Sequence, residues 1–137
     1  MREILFRGKR VDNGEWVYGY YTCAYGIHTI EFATPSHDNC HFHQHDVVPT
    51  TIGQFTGLTD RNGAKIFEGD VYIFTNDDGT ETKPCQVGFD LGRFAGIIRL
   101  GKGGHDTLTI DYLHCKERVE IIGNIHDNPE LVGGRND

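Results

Sequence analysis

The stretch that decides the fold is residues 51–72, which reads TIGQFTGLTDRNGAKIFEGDVY. In it, short segments rich in β-branched and aromatic residues alternate with glycine-bearing turns, and Asn62 stands directly before Gly63. Asn and Gly tolerate the positive φ that a tight hairpin turn requires. The stretch therefore predicts three short strands joined by turns, at Thr51–Leu58, Lys65–Phe67 and Val71–Thr75.

The same pattern extends toward both termini. In the segment 16–21, Trp16, Tyr18 and Tyr20 fall on one face and Val17, Gly19 and Tyr21 on the other. This period of two is typical of a strand. Further strands are predicted at Ile4–Arg7, Ile27–Ala33, Gln86–Phe89, Phe94–Leu100 and Val119–Ile125. A chain of many short strands indicates a mainly β fold.

Signals for helices are few. The segment Thr109–Lys116 predicts one or two helical turns, and Asn128–Leu131 places a capping Asn before a Pro at the first helical position. Residues 34–46, ATPSHDNCHFHQH, lack an apolar stripe and are interpreted as a connecting loop. We expect a β-rich N-terminal subdomain with this loop in residues 1–50, a second β subdomain in 51–132 and a frayed tail in 133–137.

The composition and the net charge argue against several classes of function. The 137 residues include 18 glycines, about twice the usual share of roughly 7%. The formal net charge is −7, which disfavours general binding to nucleic acid or to anionic membranes. The opening MREILFRGKR has too short an apolar stretch for a signal peptide. We also expect no membrane partner. The four cysteines are widely spread, so reduced thiols are expected.

Several blocks of sequence resemble a known family. They are residues 51–72, VEIIGNIHDNPEL at 119–131, the opening MREILFRGKR and WVYG at 16–19. Together they are similar to the YopX-like family of bacteriophage and prophage proteins. The resemblance implies a β-rich protein whose part 51–132 is an SH3-type small barrel, acting in the cytoplasm of the bacterial host. It implies no particular activity.

The residues within these blocks favour a structural role. Glu68 and Asp70 are two carboxylates that can cap a turn, which we favour, or bind a cation. Gly123 lies between Ile121 and Ile125 on one face of a predicted strand, where a missing side chain admits a close neighbour.

The sharpest chemical feature is a run of possible metal ligands, namely His37, Cys40, His41, His43 and His45. In an extended segment His41, His43 and His45 point to one side. A structural zinc site usually draws on two separated pairs of ligands, and the chain offers no CxxC or HxxxH pair elsewhere. A solvated polar loop is therefore favoured, and metal binding by His37–His45 is kept as an alternative.

No catalytic set emerges from the sequence. Ser36, His37 and Asp38 are adjacent, and neighbouring residues do not normally align as nucleophile, base and orienting acid. We therefore predict no catalytic residue, no cofactor and no metal site, and expect that the protein is not an enzyme.

The leading hypothesis is a non-enzymatic, oligomeric binding module. The aromatic residues between Trp16 and Tyr25 exceed what one face of a short hairpin buries, and exposed aromatic surface often marks an interface. A homo-oligomer is expected, with a host or phage protein as another possible partner. The alternative partner is nucleic acid, bound through the basic N-terminal residues Arg2, Arg7, Lys9 and Arg10.

Overall fold

The structure is a computed structural model that describes residues 1–100, 106–110 and 113–133. These residues contain eleven strands and three short 3-10 helices. The strands are β1 (Phe6–Lys9), β2 (Trp16–Ala24), β3 (Ile27–Ser36), β4 (Asn39–Asp46), β5 (Gly53–Thr59), β6 (Lys65–Phe67), β7 (Asp70–Phe74), β8 (Cys85–Asp90), β9 (Arg93–Leu100), β10 (Asp106–Ile110) and β11 (Val119–Asn124). The helices are Pro49–Thr51, Lys116–Arg118 and Pro129–Val132. The predicted mainly β fold is confirmed.

The chain forms two compact units, Met1–Phe55 and Thr56–Asp137. The sequence-based division between residues 50 and 51 lies a short distance before this one. Strand β5 begins in the first unit, where Gly53 and Gln54 pair with β1.

The first unit is an antiparallel sheet in the order β4-β3-β2-β1, followed by the start of β5. Its core consists of Val17, Ile30 and Val47. These are joined by the partly buried side chains of Phe6, Tyr21, Phe32 and Ile52. The predicted alternation in β2 is confirmed, since Val17 is buried whereas Tyr18 and Tyr20 are exposed.

Residues 34–46 are not a connecting loop, so that interpretation was wrong. They belong to the β3–β4 hairpin, whose register runs from the pair Thr29↔Asp46 to the pair Ser36↔Asn39. Most side chains of β4 are exposed on both faces, which removes the apolar alternation that identifies a strand in sequence. Backbone pairing with β3 holds β4 extended without an apolar stripe.

The second unit contains an antiparallel sheet in the order β10-β9-β8-β7-β11, and β6 pairs with β5. The buried residues of its core are Ile66, Tyr72, Cys85, Val87, Leu113 and Val119. Short strands with apolar residues on the inner face supply most of this cluster. Closure of these strands into an SH3-type barrel stays a prediction.

One of the two predicted helices is confirmed in position. Pro129–Val132 forms a 3-10 helix, which ends at Gly133 with a φ of 91°. The helix predicted at Thr109–Lys116 is wrong, because Thr109 and Ile110 end strand β10 and their β-branched side chains favour extended backbone. Residues 111 and 112 of that segment, and 134–137 of the predicted frayed tail, lie outside the described residues.

A close approach inside the second unit requires Gly96 of β9. A Cβ added there would lie 1.8 Å from the hydroxyl oxygen of the fully buried Tyr72. We predict that Gly96→Ala lowers the free energy of unfolding by about 1–3 kcal/mol, the usual cost of overpacking. Gly88→Ala in β8 is the matched control, because its Cβ would meet only the flexible end of Ile97. Denaturant unfolding of both variants measures the difference, and equal midpoints would contradict the packing described.

Candidate functional site

The turn between β5 and β6 is organised by one buried carboxylate, that of Asp60. Asp60 Oδ1 accepts hydrogen bonds from the backbone N–H groups of Asn62 and Ala64, both at 2.9 Å. Its other oxygen, Oδ2, accepts from the backbone N–H of Ile121 in β11 at 3.0 Å. The side chain is only 1% exposed. Asp60 therefore both shapes its own turn and fastens that turn to β11.

The environment of Asp60 keeps it ionised. Burial alone raises the pKa of a carboxyl group, but the N–H groups of Ile121, Ala64 and Asn62, with the charge of Arg61, hold the pKa of Asp60 below its ordinary value. Arg61 also pairs with Glu120 of β11. The negative charge of this buried carboxylate is thus stabilised by hydrogen bonds from backbone N–H groups.

A second acidic residue closes the next turn. Asp70 is buried, and its Oδ2 accepts the backbone N–H of Phe67 at 2.7 Å. Between them Gly69, with a φ of 91°, donates to Val87 and accepts from Ile125. Asp70 thus caps the turn, which is the interpretation that the sequence favoured over cation binding.

The end of β11 is built in the same way. Asn124 Oδ1 accepts the backbone N–H groups of His126 and Asp127, while Asn128 Oδ1 accepts the N–H of Asn124. A Cβ on Gly123 would lie 2.5 Å from Asn128 Oδ1. Gly123 is therefore a close-approach position, and the neighbours it admits belong to the turn and helix that follow it.

The prediction that Ile121, Gly123 and Ile125 share one face of the strand needs one correction. The register of β11 against β7 shifts between Ile121 and Gly123, where Ile122 is left out of the pairing. A bulge of this kind interrupts simple alternation along a strand. The sequence could not show it, because the extra residue is another Ile.

The histidines of the possible metal-ligand run lie on the β3–β4 hairpin. His41, His43 and His45 alternate along one face of β4, as the extended arrangement predicts. The His43 and His45 rings stack with centroids 6.4 Å apart, and His43 also stacks on Phe32 at 4.7 Å. Thr34 Oγ1 lies 3.0 Å from His43 Nε2. These rings are engaged in packing and hydrogen bonding within the hairpin.

The other possible ligands do not join them. His37 lies in the turn of the hairpin, and Cys40 alternates to the face opposite His41. Within residues 1–100, 106–110 and 113–133, no three His, Cys, Asp or Glu side chains are grouped so that they could hold a metal ion. The arrangement of this hairpin therefore gives the metal-binding alternative no support.

The opposite face of the first unit's sheet displays large aromatic side chains. Tyr18, Tyr20 and Phe42 are 46%, 67% and 85% exposed. The registers Tyr20↔Glu31 and Ala33↔Phe42 place them on one face of β2, β3 and β4, together with Trp16. We call these four residues, Trp16, Tyr18, Tyr20 and Phe42, the aromatic face. Phe42 was missed from sequence because its strand was interpreted as a loop.

Charged side chains flank the aromatic face on two sides. The guanidinium carbon of Arg7 and the ammonium of Lys9, both in β1, lie 4.6 Å and 5.4 Å from the Trp16 ring centroid. These distances are typical of cation–π contacts. On the far side, Glu31 alternates onto the same face from β3, whereas Asp46 lies at the end of β4 that bonds to Val11, just beyond β1. The face thus has a basic side at β1, with Lys9, and an acidic side at β3, with Glu31.

A cavity in the second unit is lined mostly by uncharged residues. It is lined by Lys83, Pro84, Gln86, Ile97, Ile98, Leu131, Val132 and Gly133. Among the described residues of that lining, Lys83 is the one ionisable side chain. General acid–base chemistry needs a positioned donor and acceptor of protons, and the described lining supplies one ionisable group.

Among the described residues, there is no helix of the length and apolar character needed to cross a membrane.

Two antiparallel β units, turns fastened by buried polar side chains and an exposed aromatic face define a small all-β protein. Its sequence matches the family described as YopX protein over residues 5–133. The chain therefore belongs to the YopX family, as the blocks in its sequence indicated.

Two known proteins are similar to this chain. The chain is 26% identical over 72 residues to the SPbeta prophage-derived uncharacterized protein YopX of Bacillus subtilis (strain 168), a match that covers 53% of each chain. The match thus spans about half the length of that relative. A crystal structure of protein EF1440 from Enterococcus faecalis aligns with a TM-score of 0.59 at 22% identity. It covers 96% of this chain and 99% of that one, and shows the likeness of fold.

The role of Asp60 can be tested by removing its charge. We predict that Asp60→Asn lowers the free energy of unfolding at neutral pH by about 1–3 kcal/mol, because an amide nitrogen would face the part-buried N–H of Ile121. Since folding lowers the pKa of Asp60, the parent's advantage is present above the ordinary value of 3.8 and is lost as the pH falls through the folded-state value.

Denaturant unfolding of parent and variant as a function of pH measures this. Asp38→Asn is the control, since it removes the same charge from an exposed turn. A stability difference for Asp60→Asn that is absent at neutral pH, or that stays constant into acid, would contradict the assignment.

Proposed function

We propose that the protein is a non-enzymatic accessory module, acting in the cytoplasm of a bacterial host, that self-associates through the aromatic face. The observation that carries the proposal is the grouping of Tyr18, Tyr20 and Phe42 on one exposed sheet face. Tyr, Trp and Phe are enriched at protein interfaces, where they supply a large contact area with little loss of conformational freedom.

The charges around the aromatic face favour a second copy of this chain as the partner. Lys9 lies at the β1 side, whereas Glu31 lies at the side of β3. In a two-fold dimer the same patch meets itself in reversed orientation. Such a contact sets the basic side of one copy against the acidic side of the other, with aromatic rings between them.

Family membership supports the accessory character of the proposal. The matched relative is prophage-derived, and the turns formed by Asp60, Asp70 and Asn124 are held by hydrogen bonds within the second unit. Their polar atoms act as turn caps. We therefore assign a function through surface contacts to the aromatic face.

Nucleic acid is the second candidate partner. The observation in its favour is the placement of half-buried Lys9 beside the Trp16 ring, next to exposed Tyr18 and Tyr20; Arg7, on the same ring, is buried. Rings alternating with cations are how small β proteins stack the bases of single strands. The net charge of −7 acts against it. Salt-dependent fluorescence anisotropy of labelled single-stranded DNA separates this candidate from self-association.

Self-association is tested by replacing the exposed rings. We predict that the parent scatters light as a dimer or larger species at micromolar concentration, and that Tyr20→Ser combined with Phe42→Ser shifts it to the monomer mass of 15.4 kDa. Tyr25→Asn is the control, because Tyr25 is fully exposed at a turn outside the aromatic face. A parent that is already monomeric, or a double variant that stays associated, would overturn the proposal.

A further inference from the structure

The face of β2 and β3 opposite the aromatic face carries a thiol, an imidazole and a phenol in contact with one another. Cys23 Sγ lies 3.8 Å from His28 Nε2, and Tyr21 Oη lies 2.6 Å from His28 Nδ1. Cys23 is exposed, whereas His28 is half-buried. A nucleophile, a base and a group that orients the base in this order are the parts of an activated thiol.

The hairpin turn sets this arrangement. Tyr25 and Gly26 both have positive φ, 54° and 74°, which is the backbone of a two-residue hairpin turn. That turn fixes the pairs Ala24↔Ile27 and Cys23↔His28. Residues directly opposite in an antiparallel pair have Cβ atoms about 4.5–5.5 Å apart, close enough for side-chain contact.

The imidazole is held from several sides. Its ring stacks on Tyr21 with centroids 5.9 Å apart and planes 7° from parallel, and Tyr21 in turn packs against Phe6. The backbone carbonyl of His28 accepts the N–H of Val47. His28 is thus fixed between the core and the surface thiol.

Tyr21 keeps its proton in this setting. Burial, followed by the neighbouring Cys23, raises the pKa of Tyr21 above its ordinary value. Its neutral hydroxyl oxygen can accept a hydrogen bond from His28 Nδ1–H, which leaves Nε2 facing the thiol as the proton acceptor.

We propose that Cys23 is a reactive thiol, activated by His28 and positioned by Tyr21, that forms mixed disulfides with low-molecular-weight disulfides. The Cys23 Sγ proton passes to His28 Nε2, and Sγ attacks one sulfur of the small disulfide. The Sγ–S bond forms as the S–S bond of the reagent breaks, and the departing thiolate takes the proton from His28. Cys23 is oxidised, and the departing half of the reagent is reduced to a thiol.

The chain contains its own comparison. Cys40 is also exposed but alternates onto the other face of its hairpin, away from the imidazoles of His41 and His43. Cys85 is buried and Cys115 is half-buried. Exposure alone therefore predicts similar reaction rates for Cys23 and Cys40, whereas the geometry at Cys23 predicts a difference.

The experiment measures reaction with dithiobis(nitrobenzoate) at neutral pH. One variant combines Cys40→Ser with Cys115→Ser and keeps Cys23, and the other combines Cys23→Ser with Cys115→Ser and keeps Cys40. We expect Cys23 to react about tenfold faster or more, and His28→Gln to reduce its rate to that of Cys40. Equal rates, or a His28→Gln variant that reacts as fast as its parent, would overturn the proposal.

Two further measurements separate activation from accessibility. In denaturant the ratio of the two rates should fall to about one, and a ratio that persists would contradict activation by the folded geometry. Tyr21→Phe should lower the Cys23 rate less than His28→Gln does, and should shift the nitrogen NMR signals of the His28 ring. Unchanged signals and rate would remove the positioning role of Tyr21.

Discussion

The path of the second unit's chain depends on the carboxylate of Asp60. Its two oxygens satisfy three backbone donors, two in its own turn and one in β11 that lies 61 positions away in sequence. A buried N–H without a partner costs about 1–3 kcal/mol, and these three donors are part-buried, so a side chain that satisfies all three constrains the structure. Asp70 and Asn124 repeat the principle on neighbouring turns. The family blocks of this sequence are therefore best understood as the parts that hold turns against strands.

The first unit follows another principle. Its core centres on three buried residues, Val17, Ile30 and Val47, while large rings remain exposed on the opposite face. A sheet with one buried and one exposed face needs a hydrophobic partner only on the first. Its outer face is therefore available for recognition, and the thiol of Cys23 lies on the other side, at the turn. The two proposals for this unit use different faces and can fail separately.

Much of this arrangement could be predicted from local sequence. Strand β6 was predicted at its observed bounds, and the alternation of Trp16 to Tyr21 correctly divided the side chains of β2 between two faces. Strand β4 was missed because its exposed side chains carry no apolar period. The bond from Asp60 to Ile121 and the meeting of Cys23 with His28 depend on tertiary contact and on exact register. Composition and spacing identify the turn at Asn62 and Gly63. They do not show that Asp60 in this turn binds the backbone N–H of Ile121.

Native-state hydrogen exchange tests the central role of Asp60 most directly. If the carboxylate fastens the β5–β6 turn to β11, the amides of Asn62, Ala64 and Ile121 should be protected to a similar free energy, close to that of the surrounding strands. In Asp60→Asn they should lose protection together. Rapid exchange of the Ile121 amide in the parent, or loss of protection confined to the turn in the variant, would contradict this account.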